Sequence, residues 1–143
     1  AYKGIPLVAI TAAALAEQHG VNLPFCFNRK EVKVYGEGGE IVGAPIEGRV
    51  LIIDDVITAG TATREAIAII RQAGGAPAGV LIALDRQEKG AGDLSAVQET
   101  MQSLGIKVTS IVRLDDLIAY LETAEDYVGN LKAVAEYRQR YGV

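Results

Sequence analysis

An apolar run followed at once by two adjacent carboxylates stands near the middle of this chain. Residues 50–61 read VLIIDDVITAGT, and residues 50–53 have the length and β-branching of a strand buried on both faces, as in a parallel sheet covered by helices. Ligands of such sheets gather at the carboxyl ends of the strands, which is where Asp54 and Asp55 fall. The segment therefore predicts a ligand site at the end of a buried strand.

The residues after the carboxylate pair predict that this ligand carries a phosphate. Small side chains leave consecutive backbone N–H groups accessible at the start of a helix, and a helix N-terminus favours an anion. The turn is formed by Thr58, Ala59, Gly60, Thr61 and Ala62. The two carboxylates cannot bind that phosphate, but they can accept hydrogen bonds from vicinal ribose hydroxyls or hold a hydrated Mg²⁺. The segment as a whole is typical of a sugar-phosphate site.

Composition excludes several other classes of protein. The 143 residues suit one domain with a sizeable core, and a net charge of −4 argues against general nucleic-acid binding. The single cysteine, Cys26, lies in an apolar run and is interpreted as a core residue, so no disulfide framework exists. No apolar stretch approaches the ~18–20 residues of a membrane span, and no signal peptide is visible. We expect a cytoplasmic protein that binds neither nucleic acid nor membrane.

Strand and helix patterns alternate along the chain, which predicts an α/β domain with a parallel sheet. The predicted helices cover residues 5–18, 62–73, 94–104, 114–121 and 128–141, with Gly20 and Gly105 as stops and Asp93 as the N-cap of the third helix. The predicted strands cover residues 23–28, 49–54, 79–84 and 107–112. Four tyrosines are interpreted as packing residues: Tyr120, Tyr127, Tyr137 and Tyr141.

Residues 29–48 are predicted to form a long mobile loop, which can include a short hairpin. Three cations, Arg29, Lys30 and Lys33, stand at its entrance, and a glycine-rich segment follows them. In an acidic protein, such a local basic cluster favours a loop that closes over a polyanion and opens again.

Residues 50–61 resemble the phosphoribosyl pyrophosphate (PRPP) motif of the type I phosphoribosyltransferases. Within that superfamily, four further segments are similar to bacterial orotate phosphoribosyltransferases in order and spacing: YKGIP at 2–6, FNRK at 27–30, GEGG at 36–39 and LDRQE at 84–88. The resemblance covers essentially the whole chain. It implies a type I phosphoribosyltransferase (Rossmann-like) α/β fold over residues 1–143, with a mostly parallel sheet flanked by helices and a long mobile catalytic loop.

The resemblance also implies the reaction. PRPP and orotate would give orotidine 5′-monophosphate and pyrophosphate, with Mg²⁺ as cofactor, in de novo pyrimidine biosynthesis. The metal would be carried by PRPP, with Asp54 and Asp55 contacting it at most through water. In the family the loop bearing Lys33 reaches into the neighbouring subunit's site, so a homodimer with shared active sites is implied.

Site residues follow from the same resemblance, position by position. Lys33, Asp54 and Asp55 would be catalytic, while Thr58 and Arg86 would bind orotate, Arg86 through a guanidinium fork that suits a carboxylate. The PRPP-binding residues would be Tyr2, Lys3, Arg29, Lys30, Lys33, Tyr35, Asp54, Asp55, Val56, Ile57, Thr58, Ala59, Gly60, Thr61 and Ala62.

Two features depart from the family pattern. The loop reads Lys33-Val34-Tyr35-Gly36 where the family has an acid and a histidine between the lysine and the glycine. Tyr35 can donate a hydrogen bond but cannot become a cation near neutral pH, which predicts weaker stabilisation of the leaving pyrophosphate. We also expect the N-terminal hood, which covers orotate in the family, to be absent from this sequence.

Two alternatives stay open beside orotate transfer. One is a phosphoribosyltransferase for another base, a purine or uracil, against which the LDR segment at 84–86 and the Arg29-Lys30 pair argue. The other is a PRPP-binding module without catalysis, which Tyr35 and the expected lack of a hood favour. Binding of PRPP without turnover of any base would identify the second.

Overall fold

The computed structural model describes residues 3–33 and 39–143 as five helices, five strands and one short 3₁₀ helix. The helices are α1 (Gly4–His19), α2 (Thr61–Gln72), α3 (Ala96–Leu104), α4 (Leu114–Thr123) and α5 (Val128–Tyr141), with the 3₁₀ turn Glu125–Tyr127 before α5. The strands are β1 (Cys26–Lys33), β2 (Gly39–Gly43), β3 (Arg49–Asp54), β4 (Ala76–Asp85) and β5 (Val108–Arg113).

A parallel sheet with the order β3-β4-β5 is the centre of the fold, as the alternating pattern predicts. Helix α2 connects β3 to β4 and helix α3 connects β4 to β5, so each crossover carries one helix. The register places Asp54 opposite Ile82 and Asp85 opposite Arg113. The carboxyl ends of all three strands therefore lie along one edge, where the predicted site residues fall.

The main hydrophobic core is formed by the crossover helices and by strands β4 and β5, together with the loop after β3. Val80 and Ile82 of β4 are 1% and 0% exposed. The other buried members of this cluster are Ile57, Ile67, Ala96, Val97, Ile106 and Val108. Because Ile57 belongs to the loop that follows the carboxylate pair, burial of its side chain ties that loop to the core.

The prediction that residues 50–53 are buried on both faces is wrong. Leu51 is 53% exposed, and in the described sheet β3 is an edge strand that pairs with β4 alone. The strand covered on both sides is the central one, β4. An apolar run shows that a segment can be buried, whereas its place in the strand order decides whether it is.

The predicted loop over residues 29–48 is in part an antiparallel hairpin. Strand β1 begins at Cys26 and continues to Lys33, and it pairs with β2 through contacts such as Cys26 with Gly43 and Asn28 with Ile41. The strand predicted over 23–28 therefore starts and ends later than predicted. It starts later because Pro24 has no N–H group for pairing, and it continues through charged residues because a two-stranded hairpin tolerates them. Cys26 is half-buried there rather than fully enclosed in the core. Residues 34–38 lie outside the described part.

Helix α3 begins two residues later than predicted, and Asp93 is not its cap. The N-cap is Ser95, whose hydroxyl accepts from the Gln98 amide at 3.1 Å, while the Gln98 side chain accepts from the Ser95 amide at 2.9 Å. This reciprocal pair satisfies two amides that the helix cannot, so it outcompetes a carboxylate further out. The predicted stops are confirmed: Gly20 and Gly105 are left-handed, with φ of 65° and 62°.

None of the helices within residues 3–33 and 39–143 combines the length and apolarity needed to cross a bilayer.

Candidate active site

The loop between β3 and α2 presents backbone amides at a helix N-terminus, as its small residues predict. Helix α2 begins at Thr61, and its N-cap Gly60 has a left-handed φ of 68°. The Arg64 amide donates to the Gly60 carbonyl at 2.9 Å, so the amides before it belong to the first turn and have no helical acceptor. An anion placed there is stabilised by these donors and by the helix dipole.

This loop, residues 55–60, is named the phosphate-site loop after its predicted ligand, and it is held from several sides. The amides of Ala83 and Leu84 in β4 donate to the Asp55 carbonyl at 3.0 and 3.1 Å. The Arg64 guanidinium donates to the Ala59 carbonyl at 2.6 Å. At Gly60 a methyl group would stand 2.6 Å from Thr100 Oγ1 of α3, so glycine is required there by contact as well as by φ. The amides are thus preorganised rather than assembled by the ligand.

The carboxylate pair sits at the end of β3 in two different environments. The Asp55 amide donates to Asp54 Oδ1 at 2.9 Å, and Lys3 Nζ lies 2.9 Å from Asp55 Oδ2. Burial raises the pKa of Asp54; the hydrogen bond from the Asp55 amide opposes that rise, and the Asp55 carboxylate adds to it. The hydrogen bond from Lys3 lowers the pKa of Asp55. The structure therefore brings Lys3, a predicted PRPP-binding residue from the start of the chain, against the predicted catalytic pair.

The two predicted orotate-binding residues are in direct contact. Arg86 follows β4 and Thr58 belongs to the phosphate-site loop, and Arg86 Nη2 donates to Thr58 Oγ1 at 3.0 Å. The same Nη2 lies 2.8 Å from Glu88 Oε2, an ion pair that the sequence analysis did not single out. A guanidinium held at the rim of the loop can accept an anionic group of a second ligand.

An open cleft of about 810 Å³ borders this loop. Its lining includes Thr58 and Ala59 of the loop, the two cations Arg64 and Lys89 and one carboxylate, Glu99, which accepts from the amides of Ala91 and Gly92. Among these side chains cations outnumber carboxylates, whereas the whole chain has a net charge of −4. The cleft is therefore suited to an anionic ligand.

The remaining predicted site residues are placed in part. Arg29, Lys30 and Lys33 belong to strand β1 of the hairpin, and Lys33 pairs with Gly39 at its far end. The structure describes the backbone of Lys30 and Lys33. Tyr2 and Tyr35 lie outside the described residues. The phosphate-site loop contains Val56 and Ile57, and helix α2 begins with Thr61 and Ala62.

The structure adds residues that sequence reasoning missed. Tyr137 of α5, interpreted there as a packing residue, donates a hydrogen bond from its hydroxyl to Glu88 Oε1. Gln87, between Arg86 and Glu88, exchanges two 2.8 Å hydrogen bonds with Asp115 of α4. A half-buried tyrosine normally finds a partner for its hydroxyl, which is the signal that could have flagged Tyr137. Its partner is 49 residues away in the sequence, and no local pattern indicates it.

Glu99 of α3 holds the segment that follows Arg86, and we expect this contact to be pH-dependent. Its carboxylate accepts from the amides of Ala91 at 3.0 Å and Gly92 at 2.6 Å, and these bonds lower the pKa of Glu99. A lowered pKa means that the contact is present above the ordinary range of about 4.3 and is lost as the pH falls through the lower folded value. NMR titration should show the Ala91 and Gly92 amide shifts moving together with a midpoint below that range.

Glu99→Gln should remove this titration, whereas Glu122→Gln on an exposed position of α4 should leave it unchanged. A midpoint at or above the ordinary glutamate range would contradict the assignment.

Adjacent carboxylates can bind a metal, but a resident metal site normally needs more protein ligands. Within residues 3–33 and 39–143, no group of three or more acidic, histidine or cysteine side chains converges to hold one. The chemistry of Asp54 and Asp55 suits contact with a hydrated divalent cation through water.

Comparison with known proteins gives concordant results from sequence and structure. The chain is 62% identical to the orotate phosphoribosyltransferase of Marinobacter nauticus over all 143 residues, which span 67% of that protein. No protein-family model matches.

Two solved structures are similar to this one. A crystal structure of orotate phosphoribosyltransferase from Francisella tularensis matches with a TM-score of 0.80 and 37% identity, covering 100% of this chain and 65% of that one. The Mycobacterium tuberculosis orotate phosphoribosyltransferase in complex with PRPP matches with a TM-score of 0.57 and 25% identity, covering 74% and 57%. These matches confirm the predicted type I phosphoribosyltransferase fold.

Proposed function

The chain belongs to the orotate phosphoribosyltransferase family, and on that premise we propose that it transfers the phosphoribosyl group of PRPP to orotate. The products would be orotidine 5′-monophosphate and pyrophosphate. The observation that carries the proposal is the contact between Thr58 of the phosphate-site loop and Arg86, because it joins a phosphate site to a cation suited to a carboxylate. The solved relative with PRPP bound supports the choice of donor.

The proposed roles follow from where charge develops. Breaking the bond between ribose C1 and pyrophosphate leaves positive charge on the sugar and adds negative charge to the leaving group. Asp54 and Asp55 would accept hydrogen bonds from the ribose hydroxyls and stabilise the positive sugar, while the amides of residues 58–62 would hold the 5-phosphate. Tyr2 and Lys3 would meet the pyrophosphate, and Arg29, Lys30 and Lys33 would neutralise it. No protein nucleophile is needed, since the pyrimidine nitrogen attacks the opposite face of C1.

Lys3 has to change partners in this scheme. In the ligand-free site its ammonium pairs with Asp55, yet its side chain is 76% exposed and the pair is weak enough to exchange. PRPP would draw Lys3 to the pyrophosphate and free Asp55 for the ribose. Mg²⁺, when bound to PRPP, would supply further charge neutralisation on the pyrophosphate.

We further propose a cytoplasmic homodimer in which the hairpin loop of one subunit reaches the neighbouring site. Residues 29–33 lie on β1, and Lys33 is the last residue of that strand, paired with Gly39 at the start of β2. Closure of this loop over PRPP would exclude water, which otherwise hydrolyses the activated sugar.

A second candidate is a module that binds PRPP without transferring it. The observation that favours it is Tyr35, which stands where the family has a histidine and cannot supply a positive charge to the pyrophosphate. Both candidates predict PRPP binding, and they differ in turnover.

Loss of orotate absorbance, with this chain mixed with PRPP and Mg²⁺, tests the proposal. We expect consumption that requires both substrates, with mixtures lacking either one as controls. Calorimetric PRPP binding without consumption of orotate would favour the module, and absence of both would reject the site itself.

Replacing Tyr35 with histidine should raise turnover. An imidazolium at this position adds a cation to the stabilisation of the leaving pyrophosphate, which is worth roughly tenfold or more in kcat when the group meets developing charge. Steady-state orotate consumption measures the change. Tyr120→His on α4, outside the described site, is the matched control and should leave kcat unchanged. Equal kcat for Tyr35→His and the unaltered chain would show that residue 35 does not contact the leaving group.

A further inference from the structure

The ion pair between Arg86 and Glu88 links the proposed base site to the C-terminal helix. Both side chains are partly buried, with Arg86 31% and Glu88 18% exposed. Arg86 Nη2 donates to Thr58 Oγ1 and lies 2.8 Å from Glu88 Oε2, so this nitrogen is engaged within the protein. The Nη1 end of the guanidinium is then the part that a ligand carboxylate can meet. The orientation of that end depends on where Glu88 is held.

Glu88 is in turn held by α5. Its second oxygen, Oε1, accepts from the hydroxyl of Tyr137, whose ring lies 5.0 Å from that of Tyr141, measured between centroids. A carboxylate with one oxygen on a guanidinium and the other on a tyrosine hydroxyl cannot rotate without losing a charge-assisted hydrogen bond. Tyr137, 49 residues from Glu88 in the sequence, therefore restrains Arg86 through Glu88.

The backbone around these residues is restrained independently. Gln87 has a left-handed φ of 52°, and its side-chain amide is paired with Asp115. The Lys89 amide donates to the Tyr141 carbonyl at 2.7 Å. A non-glycine residue keeps such a φ when its surroundings determine it, so this segment is fixed between α4 and α5. Side-chain restraints on Arg86 and Glu88 and backbone restraints on Gln87 and Lys89 act on one continuous segment, residues 86–89.

We propose that Glu88 and Tyr137 are positioning residues, which aim the Arg86 guanidinium at the carboxylate of the acceptor base. The inference rests on the proposed function for the identity of that base. It makes specificity for a carboxylated pyrimidine depend on the C-terminal helix as well as on Arg86. Tyr137 itself touches neither substrate; it acts through Glu88.

Tyr137→Phe tests this, since it removes one oxygen atom and keeps the ring. With the unaltered chain consuming orotate, the variant should raise KM for orotate about fivefold while kcat and KM for PRPP stay within about twofold. A merely structural role would change both KM values. Tyr141→Phe, on the neighbouring ring, is the control and should change neither. In a Glu88→Ala background, Tyr137→Phe should add nothing, because the path through Glu88 is already lost.

A second readout separates this inference from the proposed function. The buried Arg86 Nε has no hydrogen-bond partner in the described structure, so NMR can follow the solvent exchange of its proton without any turnover. Tyr137→Phe should speed that exchange, and Tyr141→Phe should not. If the unaltered chain consumes no orotate, the proposed function fails, and this exchange alone decides whether Tyr137 positions Arg86. Unchanged exchange in Tyr137→Phe, or equal changes in both KM values, would overturn it.

Discussion

Replacing Gly60 with alanine is expected to weaken PRPP binding at least about thirtyfold, because the substitution strains the phosphate-site loop in two ways. The backbone at Gly60 has a φ of 68°, which alanine adopts at a cost. The new methyl group would also stand 2.6 Å from Thr100 Oγ1, so the loop or α3 has to move. Either movement displaces the amides that are proposed to hold the 5-phosphate. Calorimetric titration with PRPP measures the loss.

Two matched variants separate the effect of backbone strain at residue 60 from the effect of the steric clash with Thr100. Gly74→Ala places alanine at a φ of 87° where nothing lies within 4 Å of the new methyl group, and it should leave PRPP affinity unchanged. Thr100→Ala removes the opposing hydroxyl, so in the Gly60→Ala background it should restore part of the affinity. Equal PRPP affinity for Gly60→Ala and the unaltered chain would show that the loop does not hold the phosphate.

Asp54→Asn and Asp55→Asn are each expected to lower turnover about a hundredfold, with opposite effects on stability. Both remove a carboxylate that is proposed to stabilise the positively charged sugar. Because burial raises the pKa of Asp54, the folded chain holds the proton more tightly there than the unfolded chain does. The charged form of Asp54 therefore opposes folding near neutral pH, and its replacement by asparagine should raise the melting temperature.

Asp55→Asn is expected to change stability in the opposite direction from Asp54→Asn. The Lys3 hydrogen bond lowers the pKa of Asp55, so its stabilisation is present above the ordinary range of about 3.9 and is lost as the pH falls through the lower folded value. Asp55→Asn should lower the free energy of unfolding at neutral pH by less than about 1 kcal/mol, since Lys3 is largely exposed.

Thermal unfolding at several pH values, together with orotate consumption, tests this pair. The gain in melting temperature from Asp54→Asn should shrink as the pH falls and Asp54 in the unaltered chain takes up its proton. The loss of stability from Asp55→Asn should shrink at lower pH still. Asp93→Asn, at a fully exposed carboxylate, is the control for a change of one charge. Changes of the same sign in the melting temperature for Asp54→Asn and Asp55→Asn would contradict the assigned environments.

How far the sequence predicted the fold depended on how local each feature is. Strand β3 and helix α5 have the predicted bounds, Arg49–Asp54 and Val128–Tyr141, because hydrophobic spacing within each segment determines them. The cap of α3 was misplaced, since Asp93 and Ser95 both suit an N-cap and the reciprocal bond with Gln98 decides between them. The hairpin was largely read as a loop because its charged residues hide the pairing between β1 and β2.

The sequence by itself determined the proposed phosphate site and the carboxylate pair, because both are built from one continuous segment, residues 54–62, at a strand end and a helix start. The tertiary structure decided that β3 is an edge strand, that Lys3 meets Asp55, and that Tyr137 restrains Arg86 through Glu88. These contacts join residues far apart in the chain. Their geometry depends on how the helices pack on the sheet, and the spacing of residues along the sequence does not predict it.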